Sequence, residues 1–350
     1  MPRERKPENK GLPKRWRHTH GGYYYQVPPG EESAWDGKKT FRLGSKLSEA
    51  YSVWASRLEL TEDVSSVAAL LDLYSLKVVP TKKLTTQAQN RSAIKKIRMV
   101  FGGMTPLAIK PRHIYQYIEK SDGKTGARRE IEVLSHALTK AIEWGQIDRH
   151  PFKGEIRLTG EKARTRYVED WEVVECLTLV PKRKLGGVLA VQAYIRIAIL
   201  TGLRRGDILR LTMSDLKDDG IHVTPGKTET QTGKRIIIGW SEELRAAVHI
   251  AKQARPVALS PFLFCNRLGR GYFNEATGRA GGWESAWKSF TDRVMVETAV
   301  SEPFTEHDLR AKCASDADTL EHAQQLLSHA DGAITKRVYR RKPEFIKPLR

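Results

Sequence analysis

The spacing of apolar positions divides the chain into three parts. In the first, residues 1–60, a basic tail gives way to Trp16-Arg-His-Thr-His-Gly-Gly-Tyr-Tyr-Tyr-Gln-Val. β-Formers on both sides of Gly21-Gly22 predict a tight hairpin, and Thr40-Phe-Arg-Leu predicts a third short strand. Ala50, Val53, Trp54 and Leu58 then recur at near-helical spacing, so a small sheet backed by one helix is expected. Over 61–152 the pattern is helical: Val64 to Leu76, Thr86 to Phe101, Arg112 to Glu119 and Gly126 to Trp144. Val79-Pro80, Gly102-Gly103, Ser121-Asp-Gly, and Gly145 with His150-Pro151 supply the breaks.

Residues 153–165, with Lys153, Arg157, Lys162 and Arg164 and no long apolar run, read as an exposed linker into a larger domain, 166–350. There an apolar helix from Leu185 to Leu200 ends at Thr201-Gly202, and a short helix runs through Ile208-Leu-Arg-Leu. Ile221-His-Val-Thr faces Arg235-Ile-Ile-Ile-Gly across a polar turn as a hairpin. Ser241 is a good N-cap, and Trp283, Trp287, Phe290 and Val294 mark one face of a later helix. The expected fold class is mainly α with small β elements (α+β): a three-stranded sheet plus helix, a helical domain, and a mixed α/β domain. No internal repeat is evident.

Charge adds the question of the partner. Lys+Arg number 60 against Asp+Glu 41, a formal charge of +19 with a pI near 9.8, which points to a polyanion without naming it. Three sets of basic positions are candidates for phosphate-backbone contact: Lys14, Arg15 and Arg17 in the tail; Arg91, Lys95 and Lys96 on one helix; Arg128, Arg129 and Lys140 on another. A solvated helix face would carry the same charges. No apolar run reaches the roughly 18 residues of a membrane span and no secretory signal is recognised, so a soluble intracellular protein is expected. Cys176, Cys265 and Cys313 are far apart and odd in number, so reduced thiols are expected rather than disulfides or a thiolate zinc site. His18 and His20 alternate on a strand with no carboxylate or thiol placed nearby, and they are assigned no metal role.

The candidate chemistry lies in the third part. Thr201-Gly-Leu-Arg204-Arg-Gly-Asp207 places an arginine just after a glycine between two helices, where the backbone can approach closely. Phe304-Thr-Glu-His307-Asp-Leu-Arg310 puts a histidine and an arginine on one helix face, with Thr305 and Asp308 resembling a reciprocal N-terminal cap. Leu326-Leu-Ser-His329 and Arg337-Val-Tyr339 follow, with Tyr339 beside an apolar helix face, so that its hydroxyl could reach a cleft. A phosphodiester needs such a set: arginines fork onto nonbridging oxygens, histidine donates or shuttles a proton, and tyrosine supplies an oxygen nucleophile.

In order and spacing, Arg204, His307-x-x-Arg310, His329 and Tyr339 resemble the active-site series of the tyrosine recombinases, specifically the lambda-type phage and prophage integrases. Ala127-Arg-Arg-Glu-Ile-Glu-Val-Leu-Ser-His-Ala, Glu143-Trp-Gly-Gln-Ile-Asp-Arg-His-Pro and Arg166-Tyr-Val-Glu-Asp resemble their core-binding domain and linker. The resemblance implies an arm-type DNA-binding domain at 1–60, a helical, SAM-like core-binding domain at 61–152, a linker at 153–165 and a catalytic domain at 166–350. It implies Tyr339 as nucleophile, Arg204, Arg310, His307 and His329 around the phosphate, and a hairpin lysine as general acid: Lys227, with Lys234 as the rival. Ser328 stands where the family has glycine, and Asp207 where glutamate is commoner. No cofactor or metal is implied. The implied partners are double-stranded DNA with core-type and arm-type attachment sites, a homotetramer on that DNA, a DNA-bending host protein and an excision directionality factor. Phe345 and Ile346 in the tail would dock onto a neighbour, and the site of action would be the nucleoid of a bacterial host. A catalytically inactive DNA-binding remnant and a type IB topoisomerase-like enzyme are the alternatives. A metal-dependent nuclease is disfavoured, because no carboxylate cluster of suggestive spacing is present.

Overall fold

The computed structural model describes residues 9, 11–57, 64–158, 163–182, 186–226, 235–275, 277–329, 331–343 and 346–349. The chain divides into two compact units, Met1–Glu161 and Lys162–Arg350.

The first unit opens with an antiparallel sheet in the order β1 (Trp16–Thr19), β2 (Gly22–Gln26), β3 (Thr40–Gly44). The hairpin turn is one residue earlier than the glycine pair suggests. His20 and Gly21 form the two-residue connection with φ of 47° and 67°, while Gly22 already pairs with Thr19. Two successive left-handed residues make the tight turn whose twist matches the strands, and Gly22 is thereby released into the ladder. Helix α1 (Leu47–Arg57) covers the sheet, and Trp16, Tyr25, Trp35, Leu43, Ala50 and Trp54 form the core, with Trp16 and Trp54 edge to face at 5.6 Å.

A second cluster in the same unit is built by α2 (Val67–Lys77), α3 (Leu84–Phe101), α4 (Pro111–Lys120) and α5 (Lys124–Glu143). α2 begins three residues later than periodicity implies, because Ser66 caps it by accepting from Ala69 N–H, and the Gly102 and Met104 carbonyls accept from Ala68 and Val67. Arg98 of α3 and Asp72 of α2 form an ion pair whose side chains are 7% and 13% exposed.

The second unit is organised around α7 (Gly187–Thr201), preceded by α6 (Asp170–Thr178) and followed by α8 (Arg205–Arg210). Periodicity does not announce α6. Gln192 of α7 is buried and donates to the Cys176, Leu177 and Leu179 carbonyls, satisfying the end of α6. A second antiparallel sheet, β4 (Leu216–Lys217), β5 (Gly220–Val223) and β6 (Ile236–Gly239), pairs Ile221 with Ile238 and Val223 with Ile236. Helices α9 (Glu242–Gln253), α10 (Gly281–Glu297) and α11 (Glu306–Asp316) pack around α7. Tyr194 is fully buried, its ring 4.9 Å from Trp283 and 6.0 Å from Trp287 of α10. Helix α12 (Leu320–Leu327) and a short turn α13 (Gly332–Ile334), continuing as a π-helical turn Thr335–Tyr339, complete the unit. Among the described residues the chain is therefore mainly helical with two small sheets. Among the described residues, no helix is long and apolar enough to cross a membrane, and no group of His, Cys, Asp and Glu could hold a metal ion. The three cysteines are free and buried, and burial pushes the Cys176 and Cys313 thiols up to about 12.

Candidate active site

The α7–α8 junction fixes Arg204. Gly202 closes α7 with φ of 61°, its N–H donating to Ala198 O at 2.9 Å. A Cβ there would meet Cys313 Sγ and Leu327 Cδ2, each at 3.1 Å, so the position requires glycine for space as well as for backbone. Thr201, fully buried, donates to Ile197 O at 2.6 Å and accepts from Leu203 N–H, which holds the turn. The chain then enters α8 with Arg204 at the N-cap. Asp207 on α8 accepts from Gly226 N–H at 3.1 Å, tying the end of the β5 segment to this helix.

Helix α11 supplies His307 and Arg310. Its start is fixed by the reciprocal cap between Thr305 and Asp308: Thr305 donates through both N–H and Oγ1 to Asp308 Oδ2, each at 2.9 Å. Glu306 accepts from Trp283 Nε1 at 3.1 Å; burial raises its carboxyl pKa, against the attraction of Arg205. His307 lies on the exposed side, whereas Arg310 is only 3% exposed. Arg310 donates to Gly202 O, to Leu327 O at 2.6 Å and toward His329 Nε2 at 3.2 Å, while its Nε is buried without a hydrogen-bond partner. Both carbonyls belong to helix C-termini, of α7 and of α12, and the negative ends of two helix dipoles converge on one guanidinium. Burial, then repulsion from Arg204, still lowers its pKa to about 10.

Tyr339 arrives last. Ser328 ends α12 in the left-handed region, φ 49°, and turns the chain so that His329 Nδ1 meets Thr335 Oγ1 at 2.9 Å. That backbone conformation is the physical reason a glycine would suit position 328. The π-helical turn then carries Tyr339 into a small apolar cluster with Ala311, Ala314, Ala323 and Leu327. Tyr339 is 9% exposed, so it sits within an apolar patch rather than beside one, yet it still lines the cleft. The ring centroid is 5.1 Å from His307, 4.9 Å from His329 and 5.5 Å from the Arg310 guanidinium. Leu203, Arg204, Arg205, Gly206, Thr305, Glu306, His307, Arg310 and Tyr339 line one open cleft of about 390 Å³.

The structure thus brings together Arg204, His307, Arg310, His329 and Tyr339, from four separate stretches of sequence. Lys227 and Lys234 lie outside the described residues. In the other unit, Lys14, Arg15, Arg17, Lys95, Lys96 and Arg129 are exposed and Arg91, Arg128 and Lys140 half-buried. Lys96 pairs with Glu130 and Lys140 with Glu143, each at 2.5 Å, and Arg91 donates to Gln87 at 2.8 Å. Sequence reasoning missed the supports of the cleft: Ser315 Oγ donates to Tyr339 O at 2.9 Å, and Arg341 pairs with Asp308 at 2.6 Å. The only local signal for the second was an arginine within a run of basic residues, where nothing marks one as buried.

Comparison with known proteins follows the same line. Residues 184–344 match the phage integrase family. The chain is similar in fold to a lambda integrase (75–356) dimer bound to a COC′ core site, with a TM-score of 0.65 at 20% identity over 81% of this chain and 99% of that one. A lambda integrase tetramer bound to a Holliday junction gives 0.60 at 20% over 92% and 97%. The Tn1549 transposon integrase (82–397) with circular intermediate DNA gives 0.60 at 16% over 77% and 94%. No curated protein matches the chain in sequence.

Proposed function

We propose, from the match of residues 184–344 to the phage integrase family, that the protein is a site-specific tyrosine recombinase that cleaves and rejoins DNA to integrate or excise a phage or mobile element. The observation that carries this reading is the convergence of Arg204, His307, Arg310 and Tyr339 on one cleft, with His329 against the Tyr339 ring.

Tyr339 attacks a scissile phosphate; its oxygen bonds to phosphorus, the bond to the 5′ oxygen breaks, and a 3′-phosphotyrosyl link and a 5′-hydroxyl result. The phosphotyrosyl bond conserves the energy of the phosphodiester, so a 5′-hydroxyl from a partner duplex reverses the step and no cofactor is consumed. Arg204 and Arg310 stabilise charge on the nonbridging oxygens. Arg310 lines the cleft and is oriented for that purpose by the Gly202 and Leu327 carbonyls. His307 handles the phenol proton and His329 donates to the phosphate. Lys227 protonates the leaving oxygen, with Lys234 as its rival.

Residues 1–60 bind an arm-type site, 61–152 bind the core-type site, 153–165 link, and 166–350 do the chemistry. Strand exchange between two duplexes needs four such sites, so the working species is a homotetramer on double-stranded DNA, aided by a DNA-bending host protein and an excision directionality factor in a bacterial nucleoid. The likeness to integrase structures described as bound to a core site and to a Holliday junction supports this arrangement.

The test uses a pool of nicked duplexes of randomised sequence. Cleavage near the nick releases a short fragment, so the covalent adduct cannot reverse and is recovered on a denaturing gel for sequencing. Wild type should trap DNA at a 3′ end and Tyr339→Phe should trap none; no wild-type adduct, or an adduct from the variant, refutes the assignment. Arg204→Ala should slow cleavage by about 100-fold to 1,000-fold.

A further inference from the structure

Arg341 belongs to a dense basic run, Lys336, Arg337, Arg340, Arg341, Lys342, that reads by composition as phosphate-binding surface. Its side chain behaves otherwise. It is 4% exposed, whereas Lys336, Arg337 and Lys342 are exposed residues. Arg341 Nε donates to Val338 O at 3.0 Å, and one terminal nitrogen donates to Arg166 O at 3.0 Å and to Asp308 Oδ1 at 2.6 Å. Its backbone N–H donates to Ser315 Oγ at 2.7 Å, and that hydroxyl donates to Tyr339 O at 2.9 Å. Ser315 and Asp308 both lie on α11, the helix that carries His307 and Arg310. The backbone just after the Tyr339 side chain is therefore fastened to the helix bearing two of the groups it must face, and the Val338 carbonyl before it is held through Arg341.

We propose that Arg341 is a positioning residue for strand cleavage: by bridging Asp308, Arg166 O and Val338 O it docks the Tyr339 segment onto α11, so that the phenol is held against the phosphate site of its own chain. The proposal rests on the reading of Tyr339 as nucleophile. Asp308 is completely buried and is the shared anchor, since Arg164 Nε also reaches Oδ1 at 2.9 Å. The residue that caps α11 thus also sets the place of the tyrosine. A planar guanidinium with donors in a fixed fork sets direction as well as distance, which an ammonium cannot do. Misplacement of a reacting group by about 1 Å costs roughly 100-fold in rate.

The experiment uses the full-length chain and a nicked duplex selected from the randomised pool, and measures DNA affinity, single-turnover adduct formation and thermal unfolding. Arg341→Ala alone removes the buried one of the two cations on Asp308, leaving the half-exposed Arg164, and is expected to lose stability. The informative variants are Arg341→Lys, which keeps both cations on Asp308, and Arg341→Ala combined with Asp308→Asn, which removes the under-compensated buried charge while the amide oxygen still serves as acceptor for the cap. Both should melt close to wild type and bind DNA as wild type does. Cleavage should be slower, by about tenfold for the lysine and about 100-fold for the double variant. A duplex with sulfur in place of the bridging 5′ oxygen should not restore the rate, because a thiolate leaves without a proton and corrects only faults in leaving-group protonation. Wild-type cleavage by either variant, or rescue by the sulfur duplex, overturns the positioning role and leaves the recombinase reading intact. Failure of wild type to trap any duplex overturns that reading and this inference with it.

Discussion

Ser328→Gly should stabilise the carboxy-terminal unit, and its magnitude follows from the geometry at the end of α12. Ser328 sits at φ 49°, where a Cβ costs about 1 to 2 kcal/mol, and its Oγ is buried without a partner, worth about 1 kcal/mol or more. Glycine removes both penalties. Against this, its freedom in the unfolded chain gives back about 0.5 to 1 kcal/mol. The net gain is about 1 to 2 kcal/mol, which for a unit of this size raises the melting temperature by about 2 to 8 °C. Calorimetry on the full-length chain would resolve such a shift. The substitution keeps the Leu327 carbonyl that accepts from Arg310, so adduct formation should be unchanged. A lower melting temperature would refute the strain argument, because it would mean that the serine side chain contributes more than its backbone conformation costs.

Other perturbations follow from the same geometry. Gly202→Ala should do the reverse of Ser328→Gly: left-handed strain of about 1 to 2 kcal/mol, plus overpacking of about 1 to 3 kcal/mol against Cys313 and Leu327, should lower the melting temperature and reduce adduct formation as the Gly202 carbonyl shifts from Arg310. Glu306→Gln should stabilise at neutral pH but not in acid. The folded carboxyl has a raised pKa from burial, so its contribution is fully present below the unfolded value and is lost as pH rises through the folded one; melting wild type and variant at pH 4 and pH 7 checks the sign. Arg98→Ala should destabilise the amino-terminal unit by about 3 to 5 kcal/mol by stranding Asp72, whose pKa burial already raises, and Arg98→Ala with Asp72→Asn should recover most of that loss in a denaturant titration.

What could be read along the chain was whatever depends on near neighbours. The cap of Thr305 on Asp308, the pairing of His307 with Arg310 on one face and the glycine closing α7 are separated by a few residues, and local geometry decides them. The hairpin turn was displaced by one residue because two glycines offered alternative left-handed positions. Helix α6 was hidden because Trp171 and Val174 on it are 49% and 56% exposed, which erases the apolar period. β4 is two residues long and leaves no alternation to detect. The buried role of Arg341 is set by Asp308, 33 residues away, and by the Arg166 carbonyl, 175 residues away; no window along the sequence contains those partners.

The way Arg310 is held has a consequence for its charge. A carboxylate placed in hydrogen-bond contact would have secured the guanidinium equally well, but it would also have cancelled the positive charge before any phosphate came near. The Gly202 and Leu327 carbonyls orient the group through dipoles and add no formal negative charge to offset its own. Neither carbonyl can be protonated, so their grip is the same in mild acid as at neutrality. Within the cleft this arrangement amounts to a standing electrostatic deficit beside Arg204, which on the proposed reading an incoming phosphodiester fills.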